Sequence, residues 1–158
     1  MREENVKIRD IFRILHIDPE LCVTEKENEW IFHRGNTSIY LIVKEGKNYK
    51  AIASPIVIFA SRLIFLPVQR ENKASLMLYL LEQSHLLVHE SFSIALESNG
   101  AEAVYFSSTF NLNENSAGYL ADCLDNFSYY AMKYDQILEE KMKKDNTEKT
   151  IKPFILED

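Results

Sequence analysis

The apolar run from Ala51 to Val68 constrains the fold more than any other feature of this sequence. It is long enough to resemble a membrane span, but Pro55, Arg62 and Pro67 interrupt it. A charge inside the run and two prolines argue against a helix surrounded by lipid, so we expect no membrane insertion. Its β-branched and aromatic residues favour the buried core of a sheet. Residues 62–68 either continue that strand or form an extra one.

Hydrophobic periodicity divides the chain into a helix, three strands, a helix, two strands and a helix. The predicted helices cover residues 5–16, 71–88 and 115–143, and the predicted strands cover residues 28–34, 37–44, 49–59, 92–97 and 103–110. Short turns, such as Gly35-Asn36 and Ser98-Asn99-Gly100, join consecutive strands as hairpins. We therefore predict a single α+β domain with an antiparallel sheet of about five strands and helices packed on it.

The length of 158 residues and the apolar fraction of 46% suit one domain with a substantial core. We expect this domain to cover residues 1–143, because the composition then becomes polar and charged. Residues 144–158 are predicted to be a mobile or loosely docked tail. Cys22 and Cys123 are far apart in sequence and are expected to be reduced thiols. The charged start has no secretory signal, so we expect a cytoplasmic protein.

The net charge of −6 is unevenly distributed along the chain. Residues 71–138 contain nine acidic side chains but only two basic ones, Lys73 and Lys133. Such a surface repels a phosphate backbone, so nucleic-acid binding is not expected. It suits either a basic partner or a solvated acidic face.

The residue types needed for catalysis or metal binding do not occur in the required patterns. His85 and His89 have the spacing of a helical zinc pair, but Leu86 stands where the glutamate of that motif belongs. Ser107 and Ser108 are predicted to lie within a strand, without the glycines of a nucleophile elbow. We therefore expect no catalytic residue, no metal and no cofactor, and we interpret the chain as a binding protein rather than an enzyme.

Several aromatic residues are candidates for contacts with other chains. Tyr129 and Tyr130 point to different sides of the last predicted helix, so one of them at least is expected to face something besides the sheet. Tyrosine is enriched in protein interfaces, which makes this pair our candidate dimer contact. In the first strand, Trp30 and Phe32 are our candidate contacts for a bound peptide.

Residues 80–138 resemble the YbjN-like family, which has the type III secretion chaperone-like fold. The resemblance lies in the amino-acid sequences of five segments, namely Leu80–Ser84, Phe92–Glu97, Asn99–Gly100, Val104–Leu112 and Leu120–Leu138. The first half of the chain is similar only in the order of its elements. The resemblance implies a homodimer that holds an extended stretch of a partner protein against sheet edges and apolar patches. It also implies that the protein has neither a cofactor nor a catalytic activity.

Three functional hypotheses remain open at this point. The first is a chaperone-like or adaptor module that holds an extended segment of a partner polypeptide. The alternative is a regulator or sensor that binds a small ligand between sheet and helix, with Arg34, Arg62 and Tyr40 as candidate lining residues. A third hypothesis, an enzyme whose acid–base groups have escaped notice, would require ionisable residues clustered in a deep cleft.

Overall fold

A computed structural model describes the backbone of residues 2–157 and the side chains of residues 3–144. The helices are α1 (Arg2–Ile14), α2 (Arg70–Ser84) and α3 (Ala117–Glu157), and the strands are β1 (Glu29–Arg34), β2 (Thr37–Lys47), β3 (Ala53–Phe65), β4 (Glu90–Leu96) and β5 (Glu102–Asn111). The order α-β-β-β-α-β-β-α and the single α+β domain confirm the predicted fold class.

The five strands form one antiparallel sheet in the order β1-β2-β3-β5-β4. The apolar run found in the sequence supplies β3, the central strand, which continues through Pro55 as far as Phe65. A register shift between Arg62 and Ile64 accommodates this length against β5. The question left open by the sequence is thereby answered, because residues 62–65 continue the third strand and form no extra one.

The core lies between one face of the sheet and the helices. α1 contributes Ile8, Ile11 and Phe12, none of which is exposed. The rings of Phe106 on β5 and Phe127 on α3 stack with centroids 5.0 Å apart. Burial of each such side chain stabilises the fold by about 1.5–3 kcal/mol, so this layer holds α3 on the sheet.

A 3₁₀ turn at Pro19–Cys22 was not predicted from the sequence. The side chain of Asp18 caps this turn by accepting a hydrogen bond from the backbone N–H of Glu20 at 3.1 Å. Shortly after the turn, Val23 forms a bridge with Trp30 of β1. The segment that follows α1 therefore covers the beginning of the first edge strand.

The second hairpin differs from the prediction, which placed a loop at residues 45–48. β2 instead continues to Lys47, and Gly46 lies within the strand opposite Ser54. A Cβ atom at position 46 would lie 2.6 Å from Cγ2 of Ile56, so this close approach requires glycine. The glycine thus marks a contact within the sheet rather than a turn.

The last helix extends beyond the predicted end at residue 143, since α3 continues to Glu157. The prediction of a mobile or loosely docked tail concerns residues 144–158. The side chains from residue 145 onward, and Asp158 altogether, lie outside the described residues. The docking of the tail therefore stays a prediction.

Candidate functional site

Strand β4 forms one edge of the sheet, with β5 as its only neighbour among the residues that the structure describes. The N–H of Glu97 donates to the carbonyl of Ala101 at 2.8 Å, which continues the register between these strands. In an antiparallel pair the backbone groups of alternate residues point towards and away from the neighbour. The N–H and C=O groups of Phe92, Ile94 and Leu96 therefore point away from the sheet.

Helix α2 presents apolar side chains beside this edge. Leu76 and Leu80 face the core and are 3% and 4% exposed. Met77 and Leu81 each follow one of these residues, so they are rotated by about 100° around the helix and stack one turn apart. They are 37% and 65% exposed. The spacing of Leu76, Met77, Leu80, Leu81 and Leu87 in the sequence predicts a single apolar stripe that includes both. The helix thus carries a second apolar row that the core does not use.

This second row and the edge strand enclose a small apolar cavity of about 170 Å³. Its lining, which we call the edge groove, consists of Met77, Leu80, Leu81, Ser84, Phe92, Ser93 and Ile94. A cavity of about 150 Å³ lined by aliphatic and aromatic side chains is large enough to hold benzene. The edge groove is therefore large enough for one branched or aromatic side chain.

Exposed apolar side chains continue around the edge groove. Leu78 on α2 is 58% exposed, and Leu96 at the end of β4 is 75% exposed. Leu86 and Val88, in the loop between α2 and β4, are 73% and 86% exposed. Contiguous apolar surface of this kind is a common mark of an interaction site, whereas single exposed apolar residues are ordinary.

The predicted peptide contacts lie at the opposite edge of the sheet. Trp30 is only 6% exposed, and Phe32 is half-buried with its ring perpendicular to that of Phe12 at 5.9 Å. Strand β1 therefore offers a partner little of either ring, and their role as peptide contacts stays a prediction. The structure draws attention to β4 instead, which the sequence did not single out.

The predicted dimer contacts lie on the outer surface of α3. Tyr129 and Tyr130 are 51% and 40% exposed, and their rings contact each other with centroids 5.7 Å apart. Tyr119 precedes Tyr130 by just over three turns, so these two side chains lie on the same face of the helix. These three tyrosines of α3 are therefore partly exposed, and the dimer contact itself stays a prediction.

Two of the three residues proposed to line a small-ligand pocket occur in one cavity. Tyr40 and Arg62 line a cavity of about 480 Å³ together with Asp135 and Glu139 of α3. Arg34 lies elsewhere, where its guanidinium donates to Oδ1 of Asp125 at 2.9 Å. This cavity is thus bounded by both sheet and helix, as the alternative hypothesis requires.

Two acid–base groups of this larger cavity have shifted pKa values. A hydrogen bond from the Tyr105 hydroxyl to Oε1 of Glu97, 2.7 Å long, is the main cause that raises the pKa of Tyr105. Burial raises the pKa of Asp135, while a hydrogen bond from Thr37 opposes the rise. Both shifts arise from contacts within the fold, namely the hydrogen bond between Tyr105 and Glu97 and the burial of Asp135.

The serines and histidines considered for catalysis have structural surroundings. Ser108 donates to the carbonyl of His89 at 3.0 Å, and a further buried serine, Ser61 of β3, donates to the carbonyl of Ser38 at 2.8 Å. Helix α2 ends at Ser84, so His85 and His89 do not share a helical face. Within the described part of the chain, no three histidine, cysteine, aspartate or glutamate residues are grouped so that they could hold a metal ion.

Comparison of the sequence with protein-family models and with curated proteins finds no match. The resemblance to the YbjN-like family accordingly stays an expectation. Among the helices of the described residues, none is long and apolar enough to cross a membrane.

Proposed function

We propose that this protein is a non-catalytic binding module, chaperone-like or adaptor in type, that holds an extended segment of a partner polypeptide along β4. The observation that carries the proposal is an unpaired edge strand beside an exposed apolar groove. The outward backbone groups of Phe92, Ile94 and Leu96 are free to form the hydrogen bonds of one further strand. The edge groove receives a side chain of that strand, which is recognition by strand addition.

The composition of β4 supports this use of the edge. Edge strands are usually protected from pairing by lysine, proline, bulges or a covering segment. Residues 90–96 contain neither lysine nor proline, and their register with β5 is continuous. An exposed, regular and apolar edge carries a risk of aggregation, so its presence favours a binding role.

The test of this proposal is peptide binding to β4. Peptides selected from a random displayed library should bind with measurable affinity in fluorescence anisotropy, and they should slow hydrogen exchange at the outward amides of Phe92 and Ile94. Leu81→Glu places a charge in the edge groove and should weaken binding at least about tenfold, because an unpaired charge would be buried there. The N–H of Ile94 points away from β5 and does not bond to it. Ile94→Pro removes this donor and should therefore weaken peptide binding as well.

A matched control is available at Leu21, which is 82% exposed and lies on the 3₁₀ turn far from β4 in sequence. Leu21→Glu introduces the same change at a similarly exposed site and should leave binding unchanged. Circular dichroism establishes that all variants are folded. Selected peptides that bind Leu81→Glu and Ile94→Pro as tightly as the unmodified protein would contradict the proposal.

We further propose that the protein is a homodimer, with Tyr129 and Tyr130 in the contact. The support is their exposure on α3, since tyrosine combines a large apolar ring with a polar end. Analytical ultracentrifugation over a range of concentrations tests this. Tyr129→Ser combined with Tyr130→Ser should shift the equilibrium towards monomer, whereas a monomer at all concentrations of the unmodified protein would refute it.

We also propose a cytoplasmic location. Cys22 and Cys123 are both free thiols, which suits a reducing compartment. Fractionation of the cells that make the protein tests the location directly, and recovery outside the cytoplasm would exclude it.

A second candidate function is the binding of a small ligand in the larger cavity. The observation in its favour is the joint presence of Tyr40 and Arg62 with Asp135 and Glu139 around about 480 Å³. A ligand bound there would raise the melting temperature, because it stabilises the folded state by RT ln(1 + [L]/Kd), where [L] is its free concentration. Screening of metabolite mixtures should therefore give a melting shift that Arg62→Ala abolishes, and a shift that persists in this variant would exclude the cavity.

A further inference from the structure

The two ends of the edge groove differ in the charges around them. At the end of β4, the acidic side chains have basic partners, since Glu97 lies 3.9 Å from Arg62 and Glu102 contacts Lys73. At the start of β4 no such compensation occurs. Glu90 begins the strand, and the preceding loop at residues 85–89 contains no lysine or arginine.

A second carboxylate lies near the start of β4. Burial is the main cause that raises the pKa of the Cys123 thiol, and the charges of Asp122 and Glu90 raise it further. Asp122 precedes Cys123 on α3 and Glu90 begins β4, so two negative charges from different elements act on the same thiol. Neither forms an ion pair with any residue in the described part of the chain. We call Glu90 and Asp122 the acidic end of the groove.

The middle of the groove is uncharged. Its seven lining residues are apolar, apart from Ser84 and Ser93. A segment bound there must place an apolar side chain in the cavity. Successive side chains of a strand point to opposite faces, so the neighbours of that residue in the bound segment face the other way. The segment must then pass the two carboxylates of the acidic end.

We propose that the segment held along β4 alternates apolar with polar residues and carries lysine or arginine where it passes Glu90 and Asp122. This inference rests on the proposed function and names the chemistry of the partner. An acidic flank in that place would add like charges to the two carboxylates, which disfavours binding. The acidic end thus selects among segments that are equally able to add a strand.

The test uses three synthetic peptides with the same alternating core of leucine and threonine. Their flanks are lysine, serine or glutamate at both ends, so that the result does not depend on the direction of the segment. In fluorescence anisotropy at low ionic strength, we expect the lysine-flanked peptide to bind about fivefold more tightly than the serine-flanked one. The glutamate-flanked peptide should bind least tightly. The differences should shrink at about 0.5 M salt, since the charges are solvent-accessible.

The origin of the preference is tested with Glu90→Gln combined with Asp122→Asn. These changes should remove the preference for lysine and leave the affinity of the serine-flanked peptide unchanged. Glu25→Gln combined with Glu27→Gln removes two carboxylates near the β1 edge and should preserve the preference. Circular dichroism and the binding of the serine-flanked peptide show that each variant is folded.

The outcomes separate this inference from the function on which it rests. Equal binding of the three peptides would overturn the inference and leave the proposed function standing. A preference that survives Glu90→Gln with Asp122→Asn would also overturn it, because the acidic end would not be its source. Failure of all three peptides, and of library-selected ones, to bind along β4 would overturn both.

Discussion

The two edges of the sheet have opposite surroundings. At the β1 edge, Val23 forms a bridge with Trp30, and the Trp30 ring is only 6% exposed. At the β4 edge, Ile94 and Leu96 are 39% and 75% exposed, and no strand of the described chain pairs with the outer side. A sheet edge is a template for further pairing, and in this protein a bridged segment covers the beginning of one edge but not of the other. The open edge is therefore the surface along which we propose that a partner segment binds.

Large aromatic and aliphatic side chains are distributed differently at the two edges. In the sequence, Trp30 and Phe32 are the large aromatic residues of the first predicted strand. Large aromatic rings are often found in protein interfaces. Here both rings pack towards the core, whereas Met77 and Leu81 of α2 project beside the open edge. The exposure of an apolar side chain, rather than its size, distinguishes the two edges.

Truncation of Trp30 should give the largest effect. Trp30→Ala removes a buried ring and should lower the free energy of unfolding by about 3–5 kcal/mol. Leu96→Ala, at the open edge, should change it by less than about 0.5 kcal/mol. Urea denaturation measures both, and similar costs at the two positions would erase the distinction between the edges.

Loss of the cap on the 3₁₀ turn should give a smaller effect. Asp18→Ala removes the acceptor for the N–H of Glu20 and should lower the free energy of unfolding by about 1 kcal/mol. Asp10→Ala is the matched control, because Asp10 forms a solvent-exposed ion pair with Arg13. Its loss should lower the free energy of unfolding by only a few tenths of the Asp18→Ala value. If urea denaturation gives the same loss of unfolding free energy for both variants, the cap does not stabilise the 3₁₀ turn that precedes β1.

The smallest expected effect is a pH dependence from Asp135, which accepts a hydrogen bond from Thr37 at the start of β2. Burial raises the pKa of Asp135 above its value in the unfolded chain. Its contribution to stability is therefore complete at pH values below the unfolded pKa, and it is lost as the pH rises through the folded one. The difference in unfolding free energy between Asp135→Asn and the unmodified protein should shift in favour of the variant across that window.

Thr37→Val provides the complementary measurement for Asp135. The hydrogen bond from Thr37 lowers the pKa of Asp135, so its loss should enlarge the same pH dependence. Urea denaturation at several pH values from about 3 to 7 covers the window. A pH profile unaltered by both substitutions would show that Asp135 has the same proton affinity in the folded and unfolded chains.

Much of the fold could be predicted from the sequence because its elements follow regular hydrophobic periods. Ile8, Ile11 and Phe12 recur at helical spacing, and all are buried. The ends of elements were less predictable. Gly46 and Pro55 suggested a loop and a break, yet each lies within a strand, because neighbouring strands supply contacts that local sequence does not reveal.

The candidate site was predictable only in part. Tyr40 and Arg62 were assigned to a pocket and do line one cavity, since both side chains lie on the same face of adjacent strands. The edge groove was missed because Met77 and Leu81 were assigned to the same apolar stripe as Leu76 and Leu80. The one signal in the sequence was the width of the apolar stripe on α2. Leu76, Met77, Leu80 and Leu81 form a stripe wider than a single buried face requires.

The sequence by itself determined the α+β class, the order of helices and strands and the central position of the apolar run, because periodicity and turn residues are local properties. Only the tertiary structure decided which strand became an open edge. That outcome depends on β5 inserting between β3 and β4, so that β4 lies outermost. It also depends on α2 packing with Leu76 and Leu80 inward. Burial of one apolar row leaves the next row beside β4, and no local pattern specifies which row the core will take.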